Sequence, residues 1–132
     1  MNMSERITDC LHQKRSLARE ICNELTVHAT IEEEIFYPPV LAAVKDDALL
    51  DEAEVEHASC KALIAEIEAG NPADPMFDAK VKVLGEYIDH HVKEERDEMF
   101  PKARASRKLD LVALRDALEA RKEELMADMA TA

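Results

Sequence analysis

Apolar residues recur three or four positions apart along almost the whole 132-residue chain, a period that fits the α-helix and no strand pattern. The rhythm stops outright at Gly70-Asn71-Pro72 and is disturbed locally at Pro38-Pro39 and Pro101. Helical segments are therefore expected over about 5–44, 47–69, 75–105 and 110–129. The first carries a disruption near 13–16 and a break or kink at the paired prolines; the third kinks or stops at Pro101; Asp110 is the N-cap of the last. The ends, about 1–5 and 129–132, are expected to fray. Short connections pack neighbouring helices antiparallel. The expected fold is one all-α domain over 1–132, an up-down helical bundle with three bundle helices and a C-terminal helix.

The chain has no Trp, two Gly and a 47% hydrophobic content, enough for one modest core. Its net charge of −12 repels phosphate backbones and anionic lipid, so neither nucleic acid nor a membrane surface is an expected partner. No apolar run approaches the ~20 residues of a membrane span, and MNMSERITDC lacks the apolar core of a signal peptide. Cys10, Cys22 and Cys60 are odd in number and lack C-x-x-C spacing, which argues against a disulfide framework or a zinc-thiolate site. Reduced thiols in the cytoplasm are the simplest expectation.

Polar residues interrupt the apolar stripes at particular places. The first stripe runs Leu17, Ile21, Leu25, His28, Glu32, Ile35; the second runs Leu50, Ala53, His57, Cys60, Ile64, Ile67. The third runs Phe77, Val81, Leu84, Ile88, His91, Glu95, then Glu98 or Met99. Three helices thus turn a His inward, and two add a Glu four positions later, about 40° round the helix and ~6 Å along it. The segments HATIEEEIFYP (28–38) and HVKEERDEMFP (91–101) repeat this arrangement, with an aromatic nine and a Pro ten positions after each His.

Two inward carboxylates left charged and unpaired would cost several kcal/mol each. The only cationic side chain near these positions on the stripes is Lys61, four after His57. A metal ion resolves the conflict, and neutral imidazoles suit iron. A lone inward His is more often a satisfied core residue, and a lone H-x-x-x-E pair is common on solvated faces. Three such histidines with two such glutamates are harder to explain without a metal. His28, Glu32, His57, His91 and Glu95 are the candidate ligands.

Other groups read more simply. Glu33, Glu34, Glu94, Asp97 and Glu98 are expected to be solvated acids. His90 lies about 100° from His91 and faces a flank; His12 lies about 160° off the His28 face. Tyr37 and Tyr87 pack, with a hydroxyl that can orient a ligand as the alternative. Cys60 is a small core residue, and Met99, Met126 and Met129 are packing residues. No Gly-rich phosphate loop, G-x-S-x-G elbow, H-E-x-x-H or paired E-x-x-H motif is present, so no catalytic residue is assigned.

The stretches ELTVHATIEEEIFYP, DEAEVEHASCKALI and YIDHHVKEERDEMFP resemble the hemerythrin-like HHE cation-binding domain, from about residue 14 to the end. The resemblance implies a non-haem iron centre, typically di-iron, in a four-helix bundle, with His28, Glu32, His57, His91 and Glu95 as ligands. It implies oxygen or redox sensing, or iron handling, with dioxygen or another diatomic as ligand; peroxide or nitric-oxide turnover is the enzymatic alternative. Family members normally begin with a further helix bearing a His, often in an Asp-His pair, and this chain reads as starting after it. In hemerythrin itself a second His stands where this chain has Lys61. Fewer ligands then remain than in a full oxygen carrier, so a mononuclear or partly loaded site is expected as an alternative. A metal-depleted structural protein is another. A bundle lacking one wall exposes apolar surface, which favours a homodimer.

Overall fold

In the computed structural model, which describes residues 2–131, every regular element is helical. Helix α1 spans Met3–Ile31 and runs through a π-turn, Glu32–Phe36, into α2, Tyr37–Val44. Helix α3 is Asp47–Ala69. Helix α4, Pro75–Glu94, runs through a second π-turn, Glu95–Met99, into α5, Phe100–Ala105. Helix α6 is Leu111–Thr131. These are the four expected segments.

Local chemistry explains the boundaries. Asn2 and Glu5 form a reciprocal capping box at the start of α1. Residues 1 and 132 lie outside the described residues. Asp46, Asp74 and Asp110 accept hydrogen bonds from the first turns of α3, α4 and α6. The disruption expected near 13–16 does not occur. The polar residues there point outward and find partners: Gln13 on Asp9, Lys14 on Asp78, Arg15 on the Gly70 carbonyl.

The prolines act one turn earlier than expected. A proline has no N–H for the carbonyl four residues before it, and its ring crowds that carbonyl. In each copy of the repeat a widened turn precedes the proline: Tyr37 N–H bonds to the Glu32 carbonyl, and Phe100 N–H to the Glu95 carbonyl. The helix continues instead of breaking, and each π-turn begins at a candidate ligand glutamate.

Helices α1, α3, α4 and α6 alternate in direction. Two apolar clusters form the core. One holds Phe36, Val40, Leu49, Leu50, Ala53, Met99 and Ala103; the other holds Ala18, Cys22, Ile64, Ile67, Phe77 and Leu84. On α1, α3 and α4 the buried polar residues lie between the two, at Glu32, His57, His91 and Glu95.

The expected stripes of α3 and α4 are recovered, with Met99 rather than Glu98 facing inward. The stripe of α1 needs correction. Ala18 and Cys22 are buried, whereas Leu17 and Ile21 are 59% and 38% exposed. Small side chains allow α3 close to α1, and this rotates the larger ones outward. Helix α6 packs on α1 and the first π-turn, with Leu118 against the cluster that holds Phe36 and Arg121 paired to Glu34 at 2.9 Å. Among the described residues no helix is long and apolar enough to cross a membrane.

Candidate metal centre

Three helices bring Glu32, His57, His91 and Glu95 together, all buried, with one donor atom from each within 4.8 Å of the others. His57 Nε2 and His91 Nε2 face each other at 3.2 Å. Glu32 Oε1 lies 3.6 Å from His91 Nε2 and 3.9 Å from His57 Nε2, and Glu95 Oε1 touches His91 Nε2. His28 sits at the edge. Its Nε2 is 2.5 Å from Glu32 Oε1, but its side chain is 53% exposed and it stands outside the buried quartet.

The outer side of each buried imidazole decides what its inner side presents. His57 Nδ1 lies 3.1 Å from Glu33 Oε1, and Glu33 is itself gripped by Lys61 at 2.7 Å. His91 Nδ1 lies 2.8 Å from Glu56 Oε2. A carboxylate only accepts hydrogen bonds, so Nδ1 donates in both rings and Nε2 of the neutral ring turns a lone pair inward. This carboxylate–imidazole pairing is the usual support of metal-bound histidines.

The centre then holds lone pairs and carboxylates with too few donors. Both Glu32 oxygens are buried and receive no well-directed hydrogen bond, close as His28 is. Two facing lone pairs at 3.2 Å repel unless a cation or a proton lies between them. Protons serve when nothing else does. Burial opposes a charged His91, but Glu32, Glu95 and Glu56 outweigh it and push its pKa up to about 11. Burial raises Glu95 to about 7, with His91 opposing and Glu32 adding. Burial also works against charged Glu32, yet contact with His28 and His91 holds its carboxyl well below the usual range. Burial lowers the pKa of His57. The donor set fits a metal cation, which can replace these protons and satisfy every inward atom.

Tyr37 adds a hydroxyl to the same point. It donates to Glu95 Oε1 at 3.2 Å and lies 3.1 and 3.3 Å from the Nε2 atoms of His57 and His91. Burial and the charges of Glu32 and Glu95 keep the phenol protonated. An uninterrupted α-helix would put Tyr37 about 140° round from Glu32. The π-turn brings it back to the same side.

Several residues depart from the sequence reading. Glu33 is half-buried and anchors His57 rather than being simply solvated. Glu56 was not singled out; it meets His91 across two helices, and such a pairing leaves no periodic signal. Lys61 holds Glu33. Glu94 is half-buried, its pKa pushed up to about 8 by burial, Glu56 and Glu52. Exposed His90 lies 3.5 Å from Glu56 and 3.8 Å from Glu94. His12, Tyr87, Asp97 and Glu98 are exposed and outside the centre, and Cys60 is half-buried. A cavity of about 50 Å³ adjoins the three histidines, walled by Leu25, Cys60, Ile64, Ile88 and Val92.

The model of the hemerythrin HHE cation binding domain matches residues 2–103. The chain belongs to the hemerythrin HHE cation-binding family. The HHE match runs from the start of α1 into α5 and therefore covers every residue of the centre. A DNA nickase of Nostoc sp. (strain PCC 7120 / SAG 25.82 / UTEX 2576) is 32% identical over 81 residues, 61% of this HHE chain. The aligned part is 23% of the nickase, so the chain spans about a quarter of that relative. No solved structure matches the chain. The HHE domain thus buries a His/Glu group able to hold a metal ion.

Proposed function

We propose that His28, Glu32, His57, His91 and Glu95 hold non-haem iron and that the domain uses it to bind a diatomic ligand or to sense redox state. The observation that carries this reading is the inward face of the centre: two imidazole lone pairs and an orphaned buried carboxylate around one point. When bound, iron would supply an open coordination position and a ferrous–ferric couple. The protein groups do the rest. Glu33 and Glu56 fix the orientation of the His57 and His91 rings. Tyr37 offers a neutral O–H donor beside Glu95. The small cavity beside the histidines, about 50 Å³ and walled largely by apolar residues, has room for a diatomic molecule and not for an organic substrate.

The net charge of −12 supports a cation as partner and works against a phosphate backbone, so the nickase relative's activity is not carried over. Protein loaded with ferrous iron without air and then desalted should retain iron. The metal-to-chain ratio reads the nuclearity, and visible charge-transfer bands should grow on exposure to air. A protein that holds no iron after such loading would end this reading.

Tyr37→Phe isolates the hydroxyl, because the ring still packs on Phe36 and His57. Iron should stay bound with affinity weakened no more than about tenfold, while the visible bands shift. Complete loss of iron would instead make Tyr37 a ligand. Titration of iron into the variant, followed in the visible, distinguishes the two.

A further inference from the structure

We infer that the face of α1 from Met3 to Ile21 pairs two copies of this chain antiparallel, about a two-fold axis at the level of His12. Positions 3, 7, 10, 14, 17 and 21 alternate in steps of four and three, the seam of a two-stranded coiled coil. They are Met3, Ile7, Cys10, Lys14, Leu17 and Ile21. Every large apolar side chain that α1 leaves exposed falls on this seam: Met3 at 77%, Ile7 at 56%, Leu17 at 59% and Ile21 at 38%. Residues 2–10 are all exposed, and the first side-chain polar contacts from α1 to the rest of the chain are those of Lys14 with Asp78 and Arg15 with the Gly70 carbonyl.

The rest of the fold bounds the open stretch. Farther along, Leu25, His28 and Ile31 line a groove of about 650 Å³ that α1 shares with Lys122 and Met126 of α6, with Ile21 among its lining residues. The large apolar side chains that α1 leaves exposed end at Ile21. The stretch is self-complementary when reversed. Met3 of one copy then meets Ile21 of the other, Ile7 meets Leu17, and Cys10 meets Lys14. The flanking positions agree. Arg6 of one copy faces Glu20 of the other, twice by symmetry, and Gln13 faces Gln13. Among the described residues neither Arg6 nor Glu20 has an ion-pair partner within the chain. A parallel pairing would instead stack Lys14 on Lys14 inside the seam, which like-charge repulsion opposes. The charge pattern thus favours a second copy, in one orientation.

Sedimentation of the 132-residue chain tests this. The wild type should run at twice the 14.9 kDa chain mass. Leu17→Glu should run as the single chain with an unchanged circular dichroism spectrum. Arg6→Glu and Glu20→Arg should each raise the dimer dissociation constant about tenfold, and together restore it. A wild type that stays at the single-chain mass at about 100 μM would overturn the proposal. So would a dimer indifferent to Leu17→Glu, or a charge exchange that fails to restore pairing.

Discussion

His57→Ala and His91→Ala are each expected to leave the protein without stoichiometric iron while the helical content is unchanged. Each ring provides one inward Nε2 at the centre, and no other described side chain is placed to replace it. Changes to residues that merely support a metal ligand cost about 10- to 100-fold in affinity, and loss of the ligand itself should exceed that. The fold should survive, because the apolar clusters on either side of the centre do not include these residues. His90→Ala is the matched comparison. That ring is exposed on the neighbouring face of α4, and its removal should leave iron content unchanged. Iron per chain after desalting, with circular dichroism alongside, gives the answer. Full iron content in His91→Ala would refute the assigned ligand set.

Glu95→Gln should stabilise the metal-free protein and abolish its stabilisation by metal. The pKa of Glu95 is raised from 4.5 to about 7, chiefly by burial, so the fold favours the protonated carboxyl. A raised carboxyl pKa contributes stability that is complete below pH 4.5 and is lost as pH rises through about 7. Glutamine keeps the shape of the neutral form at every pH. Wild type and variant should therefore melt together near pH 4. Near pH 8 the metal-free variant should be more stable by on the order of 1–2 kcal/mol, or about 5 °C in Tm. His91 still has Glu32 and Glu56 beside it, which limits the offsetting loss. Iron reverses the order. At about 100 times its dissociation constant it should add about 2.7 kcal/mol to the wild type and little to the variant. Melting curves at both pH values, with and without ferrous iron, would expose the idea as wrong if the variant melted lower than the metal-free wild type at pH 8.

His57 and His91 were readable because a helix period of 3.6 maps position directly onto face, and apolar neighbours marked that face as inward. The repeat ending in Pro38 and Pro101 marked Glu32 and Glu95 by the same logic. Glu33, Glu56 and Lys61 were not readable as supports, because each acts across a helix–helix contact. Tyr37 depended on a turn that breaks the very period used to read it. Leu17 and Ile21 misled for another reason: an apolar stripe shows that a face seeks cover, but not which partner covers it.

Local chemistry along the chain thus determined the helices, their ends, the inward histidines and glutamates, and the family they resemble. Those features depend on spacing and on caps that act within a few residues. Tertiary structure alone decided which carboxylates orient the imidazoles, that Tyr37 joins them, that His28 stands half-exposed at the rim, and that part of α1 remains bare. Each of these depends on how helices distant in sequence meet, through contacts a one-dimensional period does not encode. The physical reason is that a helix sets the direction of a side chain, whereas its partner sets the environment that side chain enters.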